Sequence, residues 1–247
     1  MRSTDITKNR HGAGPAAPTR QGALQRVGYK LGRALTYAGF AFQQRVIGFE
    51  VPDQPAFHDE TIPRFIERMS RARRYLEFGA GASTVIAARA GVPFTTVETD
   101  PFYLAAVRRK IVSAGLADPQ RQRFLHANVG ITEHWGRPLF SRVTPARRAR
   151  WRAYPETPWA EMAGKPDFVL VDGRFRVACA LTAIKRLGQG DWELWLDDYE
   201  GREHYRTVTR FARLEQMSGA TAVLRARADI DRAALDAAID EAAIDWR

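Results

Sequence analysis

The stretch Tyr75-Leu76-Glu77-Phe78-Gly79-Ala80-Gly81-Ala82-Ser83-Thr84 decides the fold of this 247-residue chain. An apolar run that contains one acid is followed by two glycines, and Ser83 or Thr84 caps the helix predicted next. Glycine has no Cβ, so the backbone at Gly79 and Gly81 can turn sharply and approach a ligand closely. Ligands of open parallel sheets bind just beyond the carboxyl ends of the strands. The stretch therefore predicts a strand, a binding loop and a helix.

A second acid closes the next apolar run, in Val97-Glu98-Thr99-Asp100. A carboxylate at this point can accept hydrogen bonds from both hydroxyls of a ribose. The dinucleotide fingerprint G-x-G-x-x-G does not fit, because Thr84 stands at the third glycine position. Glu77 would also place a negative charge in the loop, which repels a pyrophosphate and attracts an ammonium group. The two acids fit a ligand with a cationic amino-acid end and an adenosine end.

The segment from Glu77 to Glu98 resembles the first two motifs of class I S-adenosylmethionine-dependent methyltransferases, with Ser83 where that family usually has glycine. By itself the glycine loop would also suit another Rossmann-like cofactor. The resemblance implies that S-adenosylmethionine is the cofactor and that Asn128, after the third predicted strand, contacts the adenine amino group. The other cofactor-binding residues that it implies are Glu77, Gly79, Gly81, Ser83, Thr84, Glu98 and Asp172.

Strands and helices alternate along most of the chain, which predicts an α/β fold of the Rossmann-like, doubly wound kind with a mostly parallel sheet. Helices are expected to begin near Ser83, Pro101 and Phe175. The predicted strands are Arg74–Phe78, Phe94–Val97, Arg123–His126, Phe168–Val171, Glu193–Leu196 and Thr221–Arg225.

The length suits one α/β domain with additions, and we expect a methyltransferase domain over residues 73–228. The other predicted parts are a disordered basic tail (1–22), a helical extension (23–72), an irregular insertion (130–166) and a C-terminal helix (229–247). Apolar residues spaced by three or four from Leu24 to Val46 predict an amphipathic helix. That helix would either pack on its own domain, where it could cover the active site, or lie on a membrane or partner surface.

Three carboxylates follow two neighbouring predicted strands: Asp172 after the fourth, and Asp197 and Asp198 after the fifth. Such a cluster is costly unless protons, arginines or a metal compensate it. The arrangement resembles the metal-dependent O-methyltransferases of the catechol and macrocin types. That resemblance implies that the three aspartates bind magnesium, which would lower the pKa of a substrate hydroxyl. The chain departs from that family at Arg174 and Arg176, either of which could neutralise the cluster instead.

Several residues near this cluster are candidates for contact with the acceptor. Arg174 and Arg176 would clamp an anionic acceptor or pair with the aspartates, and Trp135 lies in an insertion that suits either a substrate lid or a solvated flap. The candidate catalytic residues are Asp172 and His204. If no metal binds, His204 is the candidate general base, although it also fits an ordinary surface histidine. The run Val171 to Arg176, taken with Glu133 to Gly136, is also similar to bacterial methyltransferase-like proteins of undefined substrate.

Composition limits the function classes without choosing among them. The net charge of +10 predicts attraction to anionic partners, and the single Cys179 excludes an internal disulfide and a multi-cysteine zinc site. With no apolar run near 18 residues and no apolar signal core, a cytoplasmic protein is expected. The leading function is methylation of a hydroxyl on a small molecule or glycan. An RNA methyltransferase and a non-catalytic binding protein stay open, and the oligomeric state is undetermined.

Overall fold

A seven-stranded sheet with helices on both faces forms the centre of the protein. The computed structural model describes residues 36–247, so the predictions for residues 1–22 and 23–35 lie outside the described residues. Residues 40–247 belong to one unit. Within the described part of the chain, no helix is long and apolar enough to cross a membrane.

The strands run in the order β3-β2-β1-β6-β7-β9-β8. The first five are parallel, whereas β9 pairs antiparallel with both β7 and β8, and β4 and β5 form a separate hairpin. The predicted Rossmann-like, mostly parallel α/β fold is confirmed. The strands are β1 Tyr75–Phe78, β2 Phe94–Glu98, β3 Gln122–His126, β4 Thr132–Glu133, β5 Arg137–Pro138, β6 Phe168–Val171, β7 Glu193–Leu196, β8 Arg213–Ser218 and β9 Thr221–Arg225.

Helices connect the parallel strands and flank the sheet. The α-helices are α1 Thr61–Ser70, α2 Ala82–Arg89, α3 Pro101–Ser113, α4 Pro145–Ala153, α5 Arg176–Leu187 and α6 Arg232–Ala242. Shorter helical segments are a π-helical turn, Gln43–Ile47, and three 3-10 segments, His134–Gly136, Thr157–Ala160 and Glu203–Arg210. Helix α5 begins at Arg176 because Phe175, with φ of +53°, lies in the left-handed region and cannot extend it.

Alternate residues of each central strand pack on opposite faces of the sheet, because side chains alternate along a strand. Tyr75 and Phe168 pack with Phe65 of α1 and Trp195, with ring centroids 5.1–6.2 Å apart. Leu76 and its same-face neighbours pack against α5 on the other face. The core therefore has two layers, and the strand ends between them are free to form a site.

Two parts of the fold differ from the predictions. The insertion at residues 130–166, predicted to be irregular, contains the β4–β5 hairpin and α4, which Thr144 caps by accepting from the amide of Arg147. Strand β8 was not predicted. It lies at the edge of the sheet, most of its side chains are exposed, and its register shifts between Leu214 and Gln216, so it lacks the apolar pattern of the buried strands.

Candidate active site

A cavity of about 560 Å³ lies at the carboxyl ends of β1, β2, β6 and β7. Its position agrees with the general rule for parallel sheets, since the strand ends bring distant segments to one edge. The lining residues are Phe40, Phe49, Glu50, Pro52, Pro55, Ala56, Gly79, Ala80, Gly81, Ala82, Ser83, Glu98, Asp100, Tyr103, His134, Trp135, Gly136, Asp172, Gly173, Arg174, Arg176, Asp197 and Asp198.

Two glycines let the loops after β1 and β6 touch. A Cβ added at Gly79, where φ is +100°, would lie 2.6 Å from the amide nitrogen of Gly173. A Cβ added at Gly173 would lie 2.5 Å from the hydroxyl oxygen of Tyr154 and 3.0 Å from the Gly79 nitrogen. The loops therefore approach more closely than any other residue type allows. Gly81 is not under this constraint; its amide donates to Thr84 Oγ1 at 3.0 Å and starts α2.

Glu77 lies beneath this loop and not on the cavity surface. Its side chain is fully buried, and four hydroxyls donate to it, those of Ser83, Thr84, Thr96 (3.1 Å) and Tyr75 (3.2 Å). Burial raises the pKa of Glu77 to about 7, although these hydrogen bonds oppose the rise. The sequence predicted that this acid faces an ammonium group. The strand's alternation instead directs it to the face that holds Tyr75, where it fixes the loop and the start of α2.

Glu98 lines the cavity at the end of β2 with its carboxylate held in one orientation. Oε1 accepts from the amides of Thr99 (2.6 Å) and Asp100 (3.0 Å) and from the Thr99 hydroxyl (3.0 Å). Oε2 accepts from the amide of Ala80 at 3.1 Å. Burial raises the pKa of Glu98, against the effect of these donors. Because a carboxylate oxygen has two lone pairs, Oε2 keeps capacity for one more donor.

The turn at residues 134–136 forms the edge of the cavity beside Glu98. The carbonyl of Gly136 accepts from the Thr99 hydroxyl at 3.0 Å, and His134 packs against Phe40 in a tilted arrangement with ring centroids 4.2 Å apart. Trp135 has φ of +64°, an uncommon conformation for a large side chain, and is 81% exposed. The turn therefore presents an indole ring at the cavity mouth, where the sequence predicted a substrate contact.

Residues 40–56 form a wall of the cavity, a role that the sequence left open beside contact with a membrane or a partner. Gln44 Nε2 donates to Asp100 Oδ2 at 2.7 Å, which fixes the π-helical turn to the cap of α3. Phe49 packs edge-on against Tyr103, with ring centroids 5.4 Å apart. Residues 36–42 are helical, but the predicted apolar face is wrong here, because Phe42 and Val46 are exposed while Phe40 and Gln44 are buried.

Asn128 and His204 are not among the residues that line the cavity. Asn128 is exposed, and its Oδ1 accepts from the amide of Gly130 at 3.0 Å, so its side chain closes a turn instead of facing a base. His204 is exposed on the segment after β7 and packs edge-on against Tyr205, with ring centroids 4.6 Å apart. The structure therefore does not bring the predicted adenine contact and the predicted histidine base to the site.

The three aspartates do converge, around the guanidinium of Arg176. Its Nη2 lies 2.9 Å from Asp172 Oδ1, and its Nη1 lies 2.8 Å from Asp198 Oδ2 and 3.7 Å from Asp197 Oδ2. Arg202 makes a second ion pair with Asp198 Oδ2 at 2.7 Å. Burial holds the pKa of Asp172 above its usual range; Arg176 opposes this effect, and the nearby carboxylates reinforce it.

This donor set does not fit a divalent cation. Among residues 36–247, no group of three or more histidine, cysteine, aspartate or glutamate side chains is placed to hold a metal ion. Carboxylate oxygens that would converge on magnesium are engaged by Arg176, and Asp197 Oδ1 accepts from the hydroxyl of Thr221 at 2.7 Å. The magnesium site implied by the resemblance to metal-dependent enzymes is therefore not supported, because a guanidinium lies among the expected ligands.

The two arginines after β6 have different surroundings. Arg176 forms ion pairs with the aspartates. Arg174 also lines the cavity, but no ion pair to its guanidinium is found in the described part of the chain. Its Nε is buried without a hydrogen-bond partner, and burial lowers its pKa, with the charge of Arg176 adding to the effect. Of the two, Arg174 is the one available to an anionic group in the cavity.

The sequence matches no protein-family model and no curated protein. Among solved structures it is similar to a methyltransferase-like protein from Silicibacter pomeroyi, with 27% identity and a TM-score of 0.68 over 79% of this chain and 100% of that chain. Two further similar structures are a cofactor-bound protein from MTB (18% identity, TM-score 0.48) and an SAH-bound methyltransferase from Podospora anserina (13%, 0.45), each covering 87% of this chain and 100% of its own. The likeness to these last two structures is weak.

Proposed function

We propose that this chain, which has the fold of class I S-adenosylmethionine-dependent methyltransferases, transfers a methyl group from S-adenosylmethionine to a hydroxyl of a small molecule or glycan. The observation that carries the proposal is the cavity shared by the glycine turn after β1, Glu98 at the end of β2 and Asp172 after β6. A loop that admits close approach and an acid suited to a ribose fit the adenosine end of this cofactor, and Asp172 lines the same cavity.

Glu98 would orient the adenosine end. Its Oε1 already accepts three donors, so Oε2 is the oxygen that would accept from a ribose hydroxyl. The hydrogen bonds from Thr99 and Asp100 keep the carboxylate in place before the ligand arrives. Binding would therefore require little reordering of this side chain.

Asp172 would serve the acceptor end. Bound S-adenosylmethionine would supply a methyl group on a sulfonium, so that the carbon–oxygen bond to the acceptor forms as the carbon–sulfur bond breaks. Asp172 lies on the cavity with its side chain 29% exposed, and Arg176 fixes one of its oxygens. We assign to this carboxylate the proton that the acceptor hydroxyl releases. His204 takes no part, because it lies outside the cavity.

The acceptor is proposed to be a small molecule or glycan because the cavity, about 560 Å³, has the size of a small-molecule site. Residues of the 40–56 wall and Trp135 line it together with Glu98. Structured RNA is the second candidate, favoured by exposed Arg148 and Arg150 on α4. Binding through such arginines would weaken steeply with salt.

Calorimetry with S-adenosylmethionine and S-adenosylhomocysteine tests the cofactor assignment, with NAD as the control ligand. We expect one-to-one binding of the first two and no heat from NAD. Absence of binding to both would overturn the proposal and leave a methyltransferase-like scaffold of another purpose. Formation of S-adenosylhomocysteine across a panel of hydroxylated acceptors and structured RNA then identifies the acceptor class. Binding without product on any acceptor would favour the non-catalytic alternative.

A further inference from the structure

Arg176 lies deeper in the site than any other cation that lines the cavity. It is the first residue of α5, and its side chain is 4% exposed. Besides the three aspartate side chains, its nitrogens donate to the backbone carbonyls of Gly173 (3.0 Å), Asp197 (2.9 Å) and Asp172 (3.1 Å). Every nitrogen of the guanidinium is thus engaged, which fixes the plane and the position of the charge.

The charge of this guanidinium lies where the resemblance to metal-dependent enzymes placed a cation. The three aspartates come from the ends of β6 and β7, and each has a carboxylate oxygen within 4 Å of Arg176. Magnesium would need several of the same oxygens at about 2.0–2.1 Å in octahedral geometry. A divalent ion in that position would be repelled by the guanidinium and would have to displace its hydrogen bonds.

We propose that Arg176 is a built-in replacement for the divalent cation, so that methyl transfer in this protein needs no metal. Arg176 neutralises the aspartates and orients Asp172 toward the acceptor, which makes it a positioning residue and not one that touches the reacting atoms. The inference rests on the proposed function for its catalytic consequence, but the exclusion of metal ions by Arg176 can be measured without any acceptor.

Electron paramagnetic resonance of Mn²⁺ tests the exclusion directly, because the free ion gives the signal and bound ion reduces it. We expect wild-type protein to leave the signal unchanged. Arg176→Gln removes the charge and keeps a polar side chain, and we expect it to take up about one Mn²⁺ per chain, as an uncovered carboxylate cluster should. Arg176→Lys, which restores the charge, should again take up none. Arg186→Gln on the exposed side of the same helix is the matched control and should behave as wild type.

Two outcomes would overturn the proposal. In the first, wild-type protein takes up one Mn²⁺ per chain, and Asp198→Asn abolishes this uptake. This test needs no Arg176 variant, so it can be made even if those variants fail to fold. The second is a folded Arg176→Gln protein, by circular dichroism, that takes up no Mn²⁺, because Arg176 is then not what keeps the ion out.

Calorimetry with S-adenosylhomocysteine on the same samples separates this inference from the proposed function. Wild-type protein that excludes Mn²⁺ but does not bind S-adenosylhomocysteine would contradict the function and leave the role of Arg176 intact. Once an acceptor is found, a rate that is the same with and without chelator supports the inference, and a rate that chelator abolishes overturns it.

Discussion

Replacing Glu77 by glutamine tests whether the carboxyl beneath the glycine turn is held partly protonated. The side chain is fully buried, and four hydroxyls surround it. Hydroxyls can rotate to donate or accept, so an amide at this position keeps hydrogen-bonding partners and nearly the same shape. The substitution therefore removes the titration without emptying the site.

The expected magnitude follows from the pKa of Glu77, raised from 4.5 to about 7. Because the folded-state pKa is the higher one, the native chain binds the proton more tightly than the unfolded chain does. The contribution of Glu77 to the free energy of unfolding is fully present below about pH 4.5 and is lost as the pH rises through about 7. At 1.36 kcal/mol for each pKa unit, the total is about 3 kcal/mol. The Glu77→Gln protein does not lose this stability. Between about pH 4.5 and about pH 7, its free energy of unfolding should therefore rise relative to that of wild type by up to about 3 kcal/mol.

Urea unfolding followed by circular dichroism at a series of pH values measures the difference between the two proteins. Glu67→Gln, at an exposed glutamate paired with Arg71 on α1, is the matched control and should give a constant offset from wild type. Parallel stability curves for wild type and Glu77→Gln across this pH range would refute the reasoning, because they would mean that Glu77 titrates alike in both states.

Three further changes test other parts of the site. Glu98→Ala should weaken S-adenosylhomocysteine binding by about 1–3 kcal/mol, the cost of unpaired donors, and an unchanged calorimetric affinity would mean that the ribose is held elsewhere. Gly173→Ala should destabilise the fold by roughly 1–3 kcal/mol, measured by urea unfolding, because its Cβ would overpack against the Tyr154 hydroxyl. Adding Tyr154→Phe should recover part of this loss. Equal stability of Gly173→Ala and wild type would contradict the close approach of the two loops. His204→Ala should change cofactor affinity and methyl transfer by less than about twofold, as surface changes usually do, and a large loss of rate would restore His204 as a base.

The sequence predicts the buried part of the fold well, because buried strands carry a signal in their own residues. The strands at residues 168–171 and 193–196 agree with the predicted bounds, since each is a short apolar run between polar turns. Strand β8 carries no such run, because an exposed edge strand is selected for polarity and not for packing. The hydrophobic pattern alone therefore identifies the buried strands but does not identify the edge strand β8.

Strand ends also predict which residues share the site, but not where every side chain points. Glu98 and Asp172 line the cavity because they lie at the carboxyl ends of β2 and β6, the two parallel strands that flank β1. Glu77 and Tyr75 share a face by alternation, a signal that the sequence already held. Asn128 and His204 lie on segments whose path depends on turn geometry and tertiary contacts, so their spacing from a strand says little about their position.

Arg174 and Arg176 show how local backbone conformation sets the position of a side chain that the sequence pattern does not predict. The residues lie two positions apart and have the same chemistry, so no pattern in the sequence separates them. The left-handed conformation of Phe175 separates them in space, because it ends the loop and begins α5 at Arg176. Arg176 is thereby turned in among the aspartates, while Arg174 stays on the cavity wall. The backbone conformation at Phe175 thus goes with two different positions, Arg176 among the aspartates and Arg174 on the cavity wall.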